Sequence, residues 1–315
     1  MKVVATLCLL VGGMMCLVER PVSAQTRRGG AAVASSGLFQ TMQATGKPAL
    51  IIAGSTDCVY CREMSQELSS NPKLQPLVQQ MFVAKIDVAS RDWPILRDTF
   101  QFEETGIPAV FFVRADGKLL YSDAGKPFDM EGFLKELVGK SGKLLDAKTL
   151  NQMTRDARQL DLALKRKDYA KAAPLVKMHS GSGSFAAVAL AYDQAGTQLV
   201  ERATAAAQAA VEQLSNPNEQ VQAAIELLEL QAALTEYEPA HKVVGTMILK
   251  TQADEPSKQL LADAEQLREA SRAESAKQWK AAVAAYSAAE RGLATEAAKQ
   301  FAVEHRQLLQ PRVKD

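Results

Sequence analysis

The sequence predicts an α/β domain, a central sheet covered by helices, followed by an all-α region of helical hairpins. Three observations carry that prediction. Between residues 37 and 140 helical and strand-like patterns alternate, and Asp116-Gly117 marks a tight turn between two of the strands. After Ser141-Gly142 the chain becomes rich in Ala, Leu, Gln, Glu and Lys, with no β run from Leu144 to Leu309. Between an apolar run that ends in Gly54 and a helical pattern stands the stretch Asp57-Cys58-Val59-Tyr60-Cys61-Arg62.

Taken in order, Met1-Lys2 is a short positive start, and Val3 to Leu17 is apolar and uncharged. Glu19-Arg20-Pro21 breaks the run, and Val22-Ser23-Ala24 supplies small residues before Gln25. This is the layout of a secretory signal over residues 1–24, with cleavage expected before Gln25. The apolar stretch is short for a bilayer span, which takes roughly 20 residues, so a retained anchor is the lesser alternative. No membrane span is expected after cleavage. The chain then reads as exported, periplasmic or secreted, with a bacterial envelope the best fit. Residues 25–36, "QTRRGGAAVASS", are small and polar, as in a flexible linker.

The α/β domain is expected over residues 37–142. Gly37 to Gly46 reads as a short helix and "PALIIAG" (48–54) as a buried strand. Cys58 to Leu68 repeats apolar residues at helical spacing until Asn71-Pro72 stops it. "MFVAKIDV" (81–88) is a second strand, Trp93 to Gln101 a helix, and 108–125 a hairpin. "FDMEGFLKELVGK" (128–140) places Met130, Phe133, Leu134 and Leu137 on one helical face.

The helical region is expected over 143–310, with 311–315 as a tail. Breaks at Ser180–Gly183, Asn216-Pro217 and Glu255-Pro256 divide it into helix pairs. An aromatic residue followed by alanine three positions on recurs at Tyr169/Ala172, Tyr237/Ala240 and Trp279/Ala282, and Ala189, Tyr192 and Gly196 share a related spacing. In these features the region resembles degenerate tetratricopeptide repeats, where small residues let antiparallel helices approach closely. An alanine-rich bundle with core aromatics is the plainer reading. The resemblance implies binding of a protein partner or self-association through residues 143–310.

A net charge of +1 with 23 % charged residues gives no field directed at nucleic acid. Of four cysteines, Cys8 and Cys16 lie in the predicted signal, leaving Cys58 and Cys61 as the thiols of the mature chain. A bridge enclosing two residues removes little entropy from the unfolded state, so as a staple it would contribute little. Cys58, Cys61 and Met64 are three soft ligands that suit Cu(I), which makes metal delivery the competing reading. His179, His241 and His305, however, all lie in the helical region, and two thiols fall short of a structural zinc site.

A redox pair has the stronger physical case. A helix start presents unpaired N–H groups and a partial positive charge, and both favour a thiolate. Cys58, in the first turn, is the expected nucleophile, and Cys61, one turn deeper, the resolving thiol. Asp57 is placed to cap the helix and to oppose the thiolate, while Arg62 would favour it if folded back over the site.

With the strand "PALIIAG", Cys58-Val59-Tyr60-Cys61 opening a helix, "VAKIDV", Gly106-Ile107-Pro108 leading into "AVFFV", the Asp-Gly hairpin and a closing helix, residues 37–140 resemble the thioredoxin superfamily. The resemblance implies a thioredoxin-like fold with a mixed central sheet. It also implies a cis bond before Pro108, which would align substrate against the disulfide, with Ile107 and Tyr60 contacting it. Ile52 falls where reductive members carry a buried acid, and Lys85 matches a family lysine loosely. Tyr60 is similar to disulfide isomerases and Ile107 to reducing thioredoxins, so the direction of electron flow stays open. The implied activity is thiol–disulfide exchange with protein thiols and an unidentified redox partner, with no cofactor beyond the Cys58–Cys61 disulfide and no metal. A non-catalytic scaffold that binds through its helical half is the alternative.

Overall fold

The protein is described by a computed structural model covering residues 37–313. The predicted signal, the linker 25–36, Cys8, Cys16 and the last two residues of the predicted tail lie outside the described residues. Among those described, no helix is long and apolar enough to cross a membrane.

The first domain is α1 (Leu38–Thr45), β1 (Ala49–Gly54), α2 (Val59–Ser70), α3 (Gln75–Val78), β2 (Phe82–Asp87), α4 (Asp92–Phe100), β3 (Ala109–Val113), β4 (Leu119–Ala124) and α5 (Met130–Lys140). Its four strands lie in the order β2-β1-β3-β4. β1 pairs parallel with β2 (Ile52 opposite Lys85) and antiparallel with β3 (Ala49 opposite Val113, Ala53 opposite Ala109), so the sheet is mixed. β3 and β4 form the hairpin expected at Asp116-Gly117.

Alternation along the buried strands sends neighbours to opposite faces. Ile51, Ala53 and Phe111 join Phe39, Met42 and Leu96 under α1 and α4. Leu50, Ile52 and Phe112 join Met64, Leu68, Leu134 and Leu137 under α2 and α5. Phe111 and Phe112 are both fully buried, one on each face, and each burial is worth roughly 1.5–3 kcal/mol. The helix expected from Phe128 starts instead at Met130, because the Asp129 carboxylate accepts the Gly132 N–H at 3.0 Å and fixes the start there. The one-turn helix α3 carries too little pattern to be read from sequence.

The second region is helical throughout: α6 (Ala147–Lys165), α7 (Tyr169–His179), α8 (Ala187–Gln213), α9 (Gln220–Ala233), α10 (Glu238–Thr251), α11 (Glu255–Ser275), α12 (Trp279–Ala289), α13 (Glu296–Leu309) and a closing 3-10 turn, Gln310–Val313. Tyr169, Tyr237 and Trp279 stand at the starts of α7, α10 and α12, and the alanines three residues on are wholly buried. Successive hairpins share one core of alanines and leucines around the buried Tyr192 and Tyr286.

The loop between α7 and α8 returns to the sheet domain. Phe185 packs against the α1/α4-side core, and the Arg114 guanidinium lies 3.5 Å from its ring centroid while forking onto Asp116. Gly142, at φ +83°, admits that ring, since a Cβ there would come within 2.6 Å of it. Arg114 follows the end of β3 that faces the start of β1, whereas Cys58 lies beyond the end of β1. The two regions therefore meet at the end of the sheet opposite the disulfide.

Candidate redox site

β1 ends at Gly54, and the chain turns through Ser55, Thr56 and Asp57 before α2 begins. Cys58 and Cys61 are joined by a disulfide with Cα atoms 5.3 Å apart. Cys58 is half-buried and flanked by exposed Val59 and Tyr60, while Cys61 is 8 % exposed and sits against the strand end. Gly54 makes that seat possible: a Cβ on it would lie 2.4 Å from the Cys61 Sγ.

Cys58 itself caps α2, with its Sγ accepting the Cys61 N–H at 3.1 Å. This corrects the expectation for Asp57. The helix starts one residue later than that capping role requires, and Asp57 stays exposed in the turn. The sulfur thus takes the N–H a capping carboxylate would have taken, and the same bond would favour a Cys58 thiolate after reduction. Arg62 does fold back, its Nη1 donating to the Thr56 carbonyl at 2.8 Å across the turn that precedes Cys58.

The Ile107–Pro108 peptide is cis. Pro108 leads directly into β3, and Ile107 is 37 % exposed beside the site. One groove reaches the disulfide itself, and a second opens past Tyr60. The first, about 580 Å³, is lined by Cys61, Arg62, Ser65, Lys85 and Asp87 with Ile52 and Gly54 at its floor. The other, about 690 Å³, runs between Tyr60 and Glu63 on one side and Gly106, Ile107, Lys126 and Phe128 on the other. The structure therefore brings Tyr60 and Ile107 into one groove and Arg62 and Lys85 into the second.

Met64, the third soft atom of the copper reading, is wholly buried in the core beneath α2. His179 and His305 are engaged in the helical region, with Asp156 and Glu274 respectively, each at 2.8 Å. Sequence reasoning passed over Gly54, Glu63 and Phe128. The glycine closing an apolar run was a visible signal for the first. Phe128 read as a helix residue, and its place outside α5 depends on the Asp129 cap.

Fold and site together define a thioredoxin-like domain with a CxxC disulfide. Residues 34–115 match the family model described as thioredoxin-like, a match that takes in β1, the CxxC segment, β2 and β3. A comparison with curated proteins returned no match. The domain's fold and its disulfide support a redox function.

Proposed function

We propose that the protein is an exported thiol–disulfide oxidoreductase acting on protein thiols and disulfides. The observation that carries this reading is a disulfide seated at a helix N-terminus, with its outer cysteine half-buried and its inner cysteine lining an open groove. Export rests on the charged start, apolar run and small residues of positions 1–24.

In the reducing direction, the Cys58 thiolate attacks one sulfur of a substrate disulfide. The Cys58–substrate bond forms as the substrate bond breaks, and the departing sulfur takes the electron pair and then a proton from solvent. Cys61 loses its proton and attacks the Cys58 Sγ, which closes Cys58–Cys61 and releases the second substrate thiol. Two electrons have then moved from the protein to the substrate. A dithiol of a partner protein restores the reduced pair, and the reverse sequence donates a disulfide. Pro108 and Ile107 line up the substrate segment. Ile107 supports that role because, among the described residues, no hydrogen bond engages its backbone N–H or carbonyl. Arg62 steadies the turn that carries Cys58.

The helical region recruits a protein partner, or a second copy, from the far end of the sheet. Its docking through Phe185 and Arg114 leaves the disulfide face open to a macromolecular substrate.

The test replaces Cys61 by Ser and expresses the full chain in its own compartment. A mixed disulfide on Cys58 is expected, together with dithiol-dependent reduction of a protein disulfide by the parent. Absence of both overturns the reading and favours a non-catalytic scaffold.

A further inference from the structure

The two grooves differ in charge as well as in place. The one behind Cys61 carries Arg62 and Lys85 against Asp87. The one reached past Tyr60 and Ile107 carries Lys126, which is tied to Glu67 at 2.8 Å, and Glu63, which has no ion pair among the described residues. Two more carboxylates border it, without cationic partners among the described residues. Glu104 and Asp123 both accept from the N–H of Ala124, a lining residue, at 3.0 and 2.7 Å. Among the described residues the groove is therefore negative, and its cation is already neutralised.

It is also apolar where it faces water. Tyr60 is 63 % exposed, Ile107 37 % and Phe128 fully exposed, all bordering the same space. Phe128 follows Pro127 and precedes the capped start of α5, so its backbone is held on both sides. A phenyl ring held in water across the groove from Tyr60, the neighbour of Cys61, forgoes burial that an apolar occupant would restore.

We infer that this groove selects polypeptide disulfides in which the reacting cysteine is flanked by a bulky apolar residue and by Lys or Arg, and that it disfavours anionic small disulfides such as that of glutathione. The inference rests on the exchange activity proposed above. The apolar neighbour packs between Tyr60 and Phe128, and the cation faces Glu63 and the Glu104 side of the groove. Charge at a rim of this kind acts mainly on the rate of productive encounter and is screened by salt.

The test uses the full chain with Cys61→Ser and short peptides whose single cysteine carries a thionitrobenzoate disulfide. Attack by the Cys58 thiolate on the peptide sulfur forms the Cys58–peptide disulfide and expels thionitrobenzoate with the electron pair, which is read by its colour. A peptide with Lys and Phe beside its cysteine is expected to react about tenfold faster than one with Glu and Phe at low ionic strength, and the gap narrows in about 0.5 M salt. Adding Glu63→Gln and Glu104→Gln shrinks the Lys-over-Glu ratio. Adding Phe128→Ala shrinks the ratio between Phe and Ala peptides, and because that ring is wholly exposed the fold does not depend on it. Equal rates for all peptides overturn this inference and leave the exchange activity standing. No reaction with any peptide, or with neutral hydroxyethyl disulfide, overturns both.

Discussion

The sheet domain and the helical region fill their interiors with different chemistry. On both faces of the sheet the buried residues between 37 and 140 are apolar, with Phe111, Phe112, Met64 and Leu134 among the largest. The helical region buries Asp156, His179 and Asp263 as well as two whole tyrosines. The reason lies in how neighbours are specified. Strands fix one another's register through backbone hydrogen bonds, so the sheet needs no polar side chain to align β1 with β2 and β3. Helices satisfy their backbones internally, and alanines such as Ala172, Ala224 and Ala282 pack closely without selecting one register over another. Polar contacts supply the selection. The Tyr192 hydroxyl donates to the Met153 carbonyl at 3.1 Å, and the Tyr286 hydroxyl donates to Glu274 at 2.7 Å. Burial pushes both phenols up, with Glu274 adding to the effect at Tyr286 and the Asp156 charge at Tyr192.

The largest break in this comparison is expected at Asp263. Its carboxylate, wholly buried on α11, accepts the Ala294 N–H at 2.9 Å and the Thr295 N–H and hydroxyl at 2.7 and 2.6 Å. It thereby fixes the turn into α13 from the neighbouring hairpin. Asp263→Ala leaves those donors unpaired and is expected to destabilise the helical region by about 3 kcal/mol in denaturant titrations followed by far-ultraviolet circular dichroism. Thiol exchange by Cys58 is expected to keep its rate under native conditions. A parallel loss of exchange would show that the two regions fold as one unit, and the contrast between them would fail.

A smaller effect, on the sheet side, is expected at Gly54. Gly54→Ala places a methyl group where the Cys61 Sγ now rests, and the disulfide must shift to admit it. Overpacking of this kind costs roughly 1–3 kcal/mol. Here it should appear as a lower melting temperature of the oxidised protein than of the variant that also lacks both cysteines. If oxidised Gly54→Ala melts no lower than its parent, the seat of Cys61 is less tightly fitted than the geometry implies.

The sheet domain was the more legible half because its periodicity and its chemistry coincide in sequence. The runs at 48–54, 81–88 and 108–125, the Asp-Gly turn and the Cys58–Cys61 spacing each carry a local signal, and the strands form at those positions. Helix content after residue 142 was equally plain from composition. What stayed hidden depends on partners distant in sequence. Nothing near Asp263 marks it as the acceptor for residues some thirty positions on, and nothing near Phe185 marks it as a residue of the first domain's core. At the site, the cap on α2 was misplaced by one residue because carboxylates outrank sulfur as capping groups, whereas here the disulfide holds Cys58 at the capping position.

The smallest effect sharpens the comparison through pH. Asp156, on α6, accepts two bonds from Gln152 at 2.8 and 2.9 Å and one from His179 Nε2, on α7, at 2.8 Å. An ionised carboxylate can only accept, so the imidazole nitrogen carries the hydrogen. The Gln152 bonds first, then the His179 bond and the nearby Arg155 charge, hold the Asp156 carboxyl below its ordinary value of 3.8, against the opposing pull of burial. A carboxyl depressed in the folded state contributes stability that is complete above its unfolded value, and that stability is lost as pH falls through the lowered one. Below pH about 4, Asp156→Asn is therefore expected to flatten the loss of helical stability relative to the parent. Measured by denaturant titration at successive pH values, a parent and variant that decline in parallel would place the acid sensitivity elsewhere. The second site to examine is then the domain junction. There burial raises the Asp116 carboxyl, but the Arg114 fork together with the backbone N–H groups of Lys118 and Asp116 outweighs it and leaves that group low as well. Acid would then loosen the contact between the regions before it loosened the helices, and the polar interior of the helical half would owe its stability to geometry rather than to charge.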